Sequence, residues 1–161
     1  MKKFFLIGMA IVLFNGLLPT LNAQTASKRF DFIAEKPSPI VNERAKSNFN
    51  RDFRYARGEK WLEKEDGYRA KFDNSGINYM VDYDNKGNWV STIKNYDELH
   101  IDSRIADAVR TTFLGYSIVH VTEIKKGKIL VYLVKIENKS LLKTIRMIDG
   151  EMDVYEAYVK G

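Results

Sequence analysis

The sequence predicts an α+β fold: a tandem repeat of one helix plus a four-stranded antiparallel sheet, joined into one continuous sheet of about eight strands with the helices on one face. Three observations predict it. Two amphipathic segments carry apolar residues at helical spacing. Runs of period-two alternation separated by short turns follow each of them. Phe53 and Phe113 stand 60 residues apart, as do Gly67 and Gly127, so the two halves share one order at one spacing.

At the start of the chain, Lys2 and Lys3 precede a mostly apolar run over 4–21 that Gly8, Asn15, Gly16, Pro19 and Thr20 interrupt. A membrane-spanning helix needs about 20 continuous apolar residues, whereas an export signal needs a shorter run and a small residue at its cleavage point. Residues 1–23 therefore read as a signal peptide cleaved after Ala23, rather than as a retained anchor. The mature chain would begin near Gln24, in the periplasm or outside the cell, without stable membrane insertion. There is no cysteine, so neither a lipid on a cysteine nor a disulfide framework is available. About 138 residues remain, enough for one core and too few for two ordinary domains. The expected layout is an arm over 24–37, containing Phe30, Phe32 and Ile33, then one domain over 38–161 made of repeats at about 38–97 and 98–161.

In the first repeat, Val41, Ala45, Phe49, Phe53 and Ala56 form one helical stripe among polar neighbours, with Ser38-Pro39 or Asn42 as its start. Four strand-like runs follow at 61–65, 68–72, 77–83 and 89–96, closed by Asp66-Gly67, Asp73-Asn74-Ser75-Gly76 and Asp84-Asn85-Lys86-Gly87-Asn88. In the second repeat, Ile101, Ile105, Ala108, Val109, Thr112 and Phe113 make the helix face. Asp102 or Ser103 caps it, and Gly115 ends it. Runs at 116–125, 128–137, 141–148 and 152–159 are separated by Lys126-Gly127, Asn138-Lys139-Ser140 and Asp149-Gly150-Glu151.

Phe113-Leu114-Gly115-Tyr116-Ser117-Ile118, leading into Val121-Thr122-Glu123-Ile124, resembles the exported PepSY-like family with a β-lactamase-inhibitor-like fold. Val41-Asn42-Glu43-Arg44-Ala45, Phe49-Asn50-Arg51-Asp52-Phe53, Trp61, 66–72 and 83–89 carry the same character in the first half. The resemblance covers roughly 38–160 and rests on turn and core signatures. It implies a small periplasmic or secreted domain of inhibitory or regulatory kind, with two helix-plus-sheet units gripping a target. It brings no catalytic residue with it.

The chemistry-bearing residues point the same way. His100 and His120 lack the spacing that would place two imidazoles on one metal. Ser103, Ser117 and Ser140 are not on a nucleophile turn. The carboxylates sit in turns and at helix entries, and Asp82 to Asn88 lacks the glutamate that would complete a calcium loop. The formal charge of +5 falls to about +3 without Lys2 and Lys3 and is not concentrated on one basic face, which argues against nucleic acid. No enzyme, cofactor or metal is expected. With helices over one side, the other side of the sheet is free to meet a protein, an envelope enzyme being one such partner and a second copy of the chain, as a homodimer, another. Trp61, Tyr68, Tyr83 and Trp89 are the candidates for that contact, since Trp and Tyr offer rigid area with a polar edge. Alternation opposes one of these choices: Tyr83 facing outward would turn Asp82 toward the helices, which argues for Tyr83 in the core. The alternative function is a structural or assembly protein of the cell envelope without inhibitory activity.

Overall fold

The computed structural model describes residues 40–161. The signal peptide, its cleavage point, the arm over 24–37 and the Ser38-Pro39 start lie outside the described residues. The first helix, α1 (Glu43–Asp52), starts at Asn42, whose side chain accepts a hydrogen bond from the Arg44 amide at 2.9 Å. Four strands follow, β1 (Lys60–Lys64), β2 (Gly67–Asn74), β3 (Ile77–Asp84) and β4 (Trp89–Tyr96). A 3₁₀ turn over Glu98–His100 leads into α2 (Ser103–Thr112), capped by Asp102 in the manner of Asn42. Then come β5 (Ser117–Lys126), β6 (Ile129–Glu137), β7 (Leu141–Ile148) and β8 (Glu151–Val159). The eight strands form one sheet in sequence order, and every neighbouring pair is antiparallel.

Turn chemistry sets much of this register. Ser75 and Gly76 between β2 and β3, and Asp149 and Gly150 between β7 and β8, all have positive φ. That is the two-residue hairpin geometry whose twist matches the strands it joins. The β3–β4 loop is closed by Asp84 instead, whose carboxylate accepts from the Lys86 and Asn88 amides and from Asn88 Nδ2 at 2.8 to 2.9 Å. Gly87 in this loop lies against the start of α1. A Cβ there would come within 2.6 Å of the Ala45 amide nitrogen, at a φ of +78°. Asn48 Nδ2 donates to the Gly87 carbonyl at 2.8 Å, and Asn42 Nδ2 donates to that of Asn85 at 3.2 Å. The bare backbone of the turn thus docks the helix onto its own hairpin.

Two apolar clusters result. Val41, Ala45 and Phe49 pack on Ala70, Phe72, Val81 and Tyr83. Ala106 and Val109 pack with Tyr96, Ile118, Val121, Val134, Ile136, Ile145 and Met147. Strand pairing carries one sheet face across both: Val81 opposes Thr92, alternation leads to Tyr96, and Tyr96 opposes Val121.

The helix faces differ from the sequence expectation in detail. Phe53 and Phe113 occupy the caps just beyond each helix and are half-buried, while Phe49 is 2% exposed at the centre of an aromatic group. Its ring centroid lies 5.3 to 5.4 Å from those of Phe53, Trp61 and Phe72. On α2, Thr112 is exposed and its hydroxyl donates back to the Ala108 carbonyl at 2.9 Å. Ala106 takes the buried place instead, beside Val109 in the second cluster.

Phe49→Ala should therefore lower unfolding free energy by about 3 to 5 kcal/mol, the usual range for a buried aromatic truncated to leave a cavity. Phe53→Ala and Phe113→Ala should each lose less than half of that, since water already reaches both rings. Urea unfolding of the three variants checks the order, and equal losses would contradict it.

A candidate interaction face

Register places the four candidate aromatics together, on the side of the sheet that packs with Ala45 and Phe49 of α1. Trp61 opposes Ala70, Tyr68 opposes Tyr83, and Tyr83 opposes Trp89, so all four share the face of the α1 cluster. Tyr83 is 2% exposed and cannot touch a partner. Its ring lies 5.7 Å from that of Trp61, and its hydroxyl is buried with no hydrogen-bond partner among the described residues. Burial and the nearby Asp52 carboxylate push that phenol well above its ordinary range. Trp61 and Tyr68 are half-buried against the same cluster. Trp89 donates its indole N–H to Thr92 Oγ1 at 2.9 Å and lines a depression of about 440 Å³ with Phe53, Lys94 and Glu123. The expectation that these four side chains build the open face is corrected by this placement. The core beneath a ten-residue helix takes up the area of these aromatics instead.

The opposite face is built from the other phase of each strand. Pairing aligns one row across the sheet: Met80 opposes Ile93, Ile93 opposes Ile124, Ile124 opposes Val131, and Val131 opposes Ile148. These five apolar side chains from β3 to β7 are half-buried, and no helix lies on their side of the sheet among the described residues. Neighbouring rows are mainly polar, with Ile129 and Leu133 as their apolar members on β6. On one flank, Asp82 is 8% exposed and accepts from Arg69 Nε at 2.6 Å and Nη2 at 2.8 Å, with Lys64 Nζ and Ser91 Oγ each at 3.4 Å. Burial pushes this carboxyl up, but Arg69 and Lys64 together outweigh it and hold it below the usual carboxylate range. On the other flank, Asn95 Oδ1 accepts from Thr122 Oγ1 at 2.8 Å and lies 3.4 Å from His120 Nε2. Burial, with Lys135 adding to it, lowers the His120 pKa, so the imidazole is neutral near pH 7.

An apolar row between polar rows has the anatomy of a contact surface with a dry centre and a wet rim. Catalysis finds less here. His100 Nδ1 pairs with Asp97 in the 3₁₀ turn at 2.9 Å, whereas His120 Nε2 lies beside Asn95, so the two imidazoles have different partners. Among the described residues, no three metal-ligating side chains converge. The candidate calcium loop uses its Asp84 carboxylate within the turn itself. Sequence reading missed the row because Met80, Ile93 and Ile124 look like core in a strand. The available signal was the two-sided apolarity of β3, β5 and β6, since a strand covered on only one side should be polar on the other.

Comparison with solved structures gives the same architecture. A BLIP-like protein from Bacteroides fragilis superposes with a TM-score of 0.59 at 14% identity, covering 77% of this chain and 91% of that one. The fold is BLIP-like. A DUF2874 family protein from Bacteroides ovatus matches this BLIP-like fold with a TM-score of 0.57 at 16% identity, over 76% and 89% of the two chains. A provisionally periplasmic protein from Bacteroides eggerthii matches at 0.56 and 15%, over 74% and 89%. No family model and no curated protein matches the sequence. Among the described residues of this BLIP-like chain, no helix is long and apolar enough to cross a membrane.

The Asp82 cluster yields a pH prediction. A carboxyl held below its ordinary value of 3.8 contributes stability in full above that value and loses it as pH falls through the lowered one. Asp82→Asn should be less stable than wild type at pH 7, with the gap closing as pH drops below 3.8. Urea unfolding of both proteins between pH 7 and pH 2 reads the gap, and a gap constant with pH would refute the assignment.

Proposed function

We propose that this protein is an exported, non-enzymatic binding domain that engages another protein through the sheet face opposite its helices. The observation that carries this reading is the row Met80, Ile93, Ile124, Val131 and Ile148, apolar and uncovered by any described element. A soluble domain exposes a continuous apolar band at a cost in solubility, so such a band marks a place that something covers. Export supports the setting: the Lys2-Lys3 run before an apolar segment agrees with a periplasmic location for a structural neighbour. An inhibitory or regulatory action on an envelope enzyme is the form of binding that the BLIP-like fold and the PepSY-like motifs support.

The tandem origin of the domain belongs to the same proposal. Helices at Glu43–Asp52 and Ser103–Thr112 are equal in length and offset by 60 residues, with the same Asx cap before each and a phenylalanine after each. Duplication of one helix-plus-sheet unit accounts for both, and it would give the binding face two related halves.

Ile93→Lys and Ile124→Lys test the face at its centre. Cross-linking capture from the envelope of the native host should recover a protein with wild type and lose at least about tenfold of it with either variant, as for a central contact residue. A lysine at exposed Leu114, away from the face, should change nothing. Retained melting temperature in all three keeps the result interpretable. Equal capture by wild type and both face variants would defeat the proposal.

A further inference from the structure

The two edges of the sheet are unlike. At one end, β1 is five residues long, and Lys60, Glu63 and Lys64 charge it, which are common defences of a sheet edge against unwanted pairing. At the other end, β8 runs for nine residues with Val154, Tyr155, Tyr158 and Val159 each between 46% and 81% exposed. It pairs only with β7, and no described strand lies beyond it. Proline is absent from it.

Its free backbone groups can be assigned. The two-residue turn at Asp149-Gly150 makes Ile148 and Glu151 a reciprocally hydrogen-bonded pair, so alternate residues of β8 bond inward to β7. An extra residue opposite Ile145, where the register shifts between Val154 and Glu156, resets the alternation. Inward residues are then Glu151, Asp153, Glu156, Tyr158 and Lys160, and the Lys160 amide does donate to the Ser140 carbonyl at 2.8 Å. Amides and carbonyls of Met152, Val154, Ala157 and Val159 point away from the sheet.

These four positions are symmetric about the point between Tyr155 and Glu156. We infer that β8 pairs antiparallel with β8 of a second copy of this chain, about a two-fold axis at that point, to extend the sheet across both molecules. In that register Met152 meets Val159 and Val154 meets Ala157, each outward-facing and apolar, so the backbone groups match reciprocally. Asp153 meets Tyr158 and Tyr155 meets Glu156, pairing carboxylates with phenols. Glu151 meets Lys160, so opposite charges close both ends and no like charges face each other. A shift of two residues, which sets Met152 against Ala157, would lose the Glu151–Lys160 match. The bulge decides which residues meet, because without it the outward set would be Met152, Val154, Glu156 and Tyr158, setting Val154 against Glu156 and Met152 against Tyr158.

Sedimentation velocity of the chain as recovered from cells tests this from about 1 µM to about 1 mM, the range in which a small interface associates. Wild type should pass from monomer to dimer within it. Val154→Pro and Ala157→Pro remove outward amides without breaking a bond to β7, and each should weaken association at least about tenfold. Glu151→Lys should also weaken it, and adding Lys160→Glu should restore it to within about threefold of wild type. A monomer throughout the range, prolines without effect in a chain of unchanged circular dichroism, or failure of the double charge reversal to recover association would each overturn the inference. If the proline variants unfold, the charge reversals decide it alone.

Discussion

The β4–β5 ladder is the constraint on which both faces depend. It joins a strand of the first half to one of the second across a connection that includes all of α2, and six residue pairs from Ser91–Lys126 to Tyr96–Val121 hold it. Sequence-distant pairing of this kind incurs its loop-closure entropy before any ladder bond compensates. Polar side chains reinforce the joint on its helix side. Lys94 Nζ lies 2.7 Å from Glu123 Oε1, and the Tyr96 hydroxyl donates to Glu123 Oε2 at 3.0 Å. Burial and the Glu123 charge raise the Tyr96 phenol far above its ordinary range, so it remains a donor at any physiological pH. Were β4 and β5 apart, each half would have one helix on four strands and one more open edge.

That joint also explains why the two faces have opposite chemistry. On the helix side, the aromatic group around Phe49 and the cluster around Val109 are separate, and the Lys94–Glu123 pair lies beside Tyr96 of the second. On the other side, the apolar row runs across the ladder without a break through Ile93 and Ile124. The open face is therefore continuous where the core is divided. Its polar flanks are internally satisfied, since Asp82 already has Arg69, Lys64 and Ser91, and Asn95 has Thr122. Groups already paired gain less from a partner's charges, so the apolar centre would supply most of the affinity and the flanks its limits.

Local chemistry makes much of the chain legible from its sequence. Asn42 and Asp102 caps, the Ser75-Gly76 and Asp149-Gly150 turns, and the alternation of Tyr68, Ala70 and Phe72 are properties of a few adjacent residues. They fix where helices and strands begin and end, and the observed strands depart from the sequence boundaries by only a few residues. The conflict between Tyr83 and Asp82 was also visible in the sequence, because neighbours on a strand cannot share a face.

Which phase of each strand faces the helices was a tertiary decision. Alternation sorts residues into two sets and says nothing of which set a helix will cover. In β3 both sets hold apolar residues, Met80 in one and Val81 in the other. Docking of α1 against Gly87 settles it by bringing Phe49 onto Phe72 and sending Met80 to the open side. Ala106 is buried and Thr112 exposed although helix periodicity allows either beside Val109, so only packing against the sheet chooses between them. The sequence by itself determined the elements and their turns, which depend on short-range sterics and hydrogen bonds. Tertiary structure alone decided the buried face, the row left open and the free edge of β8, because each depends on what lies across a gap that no local pattern spans.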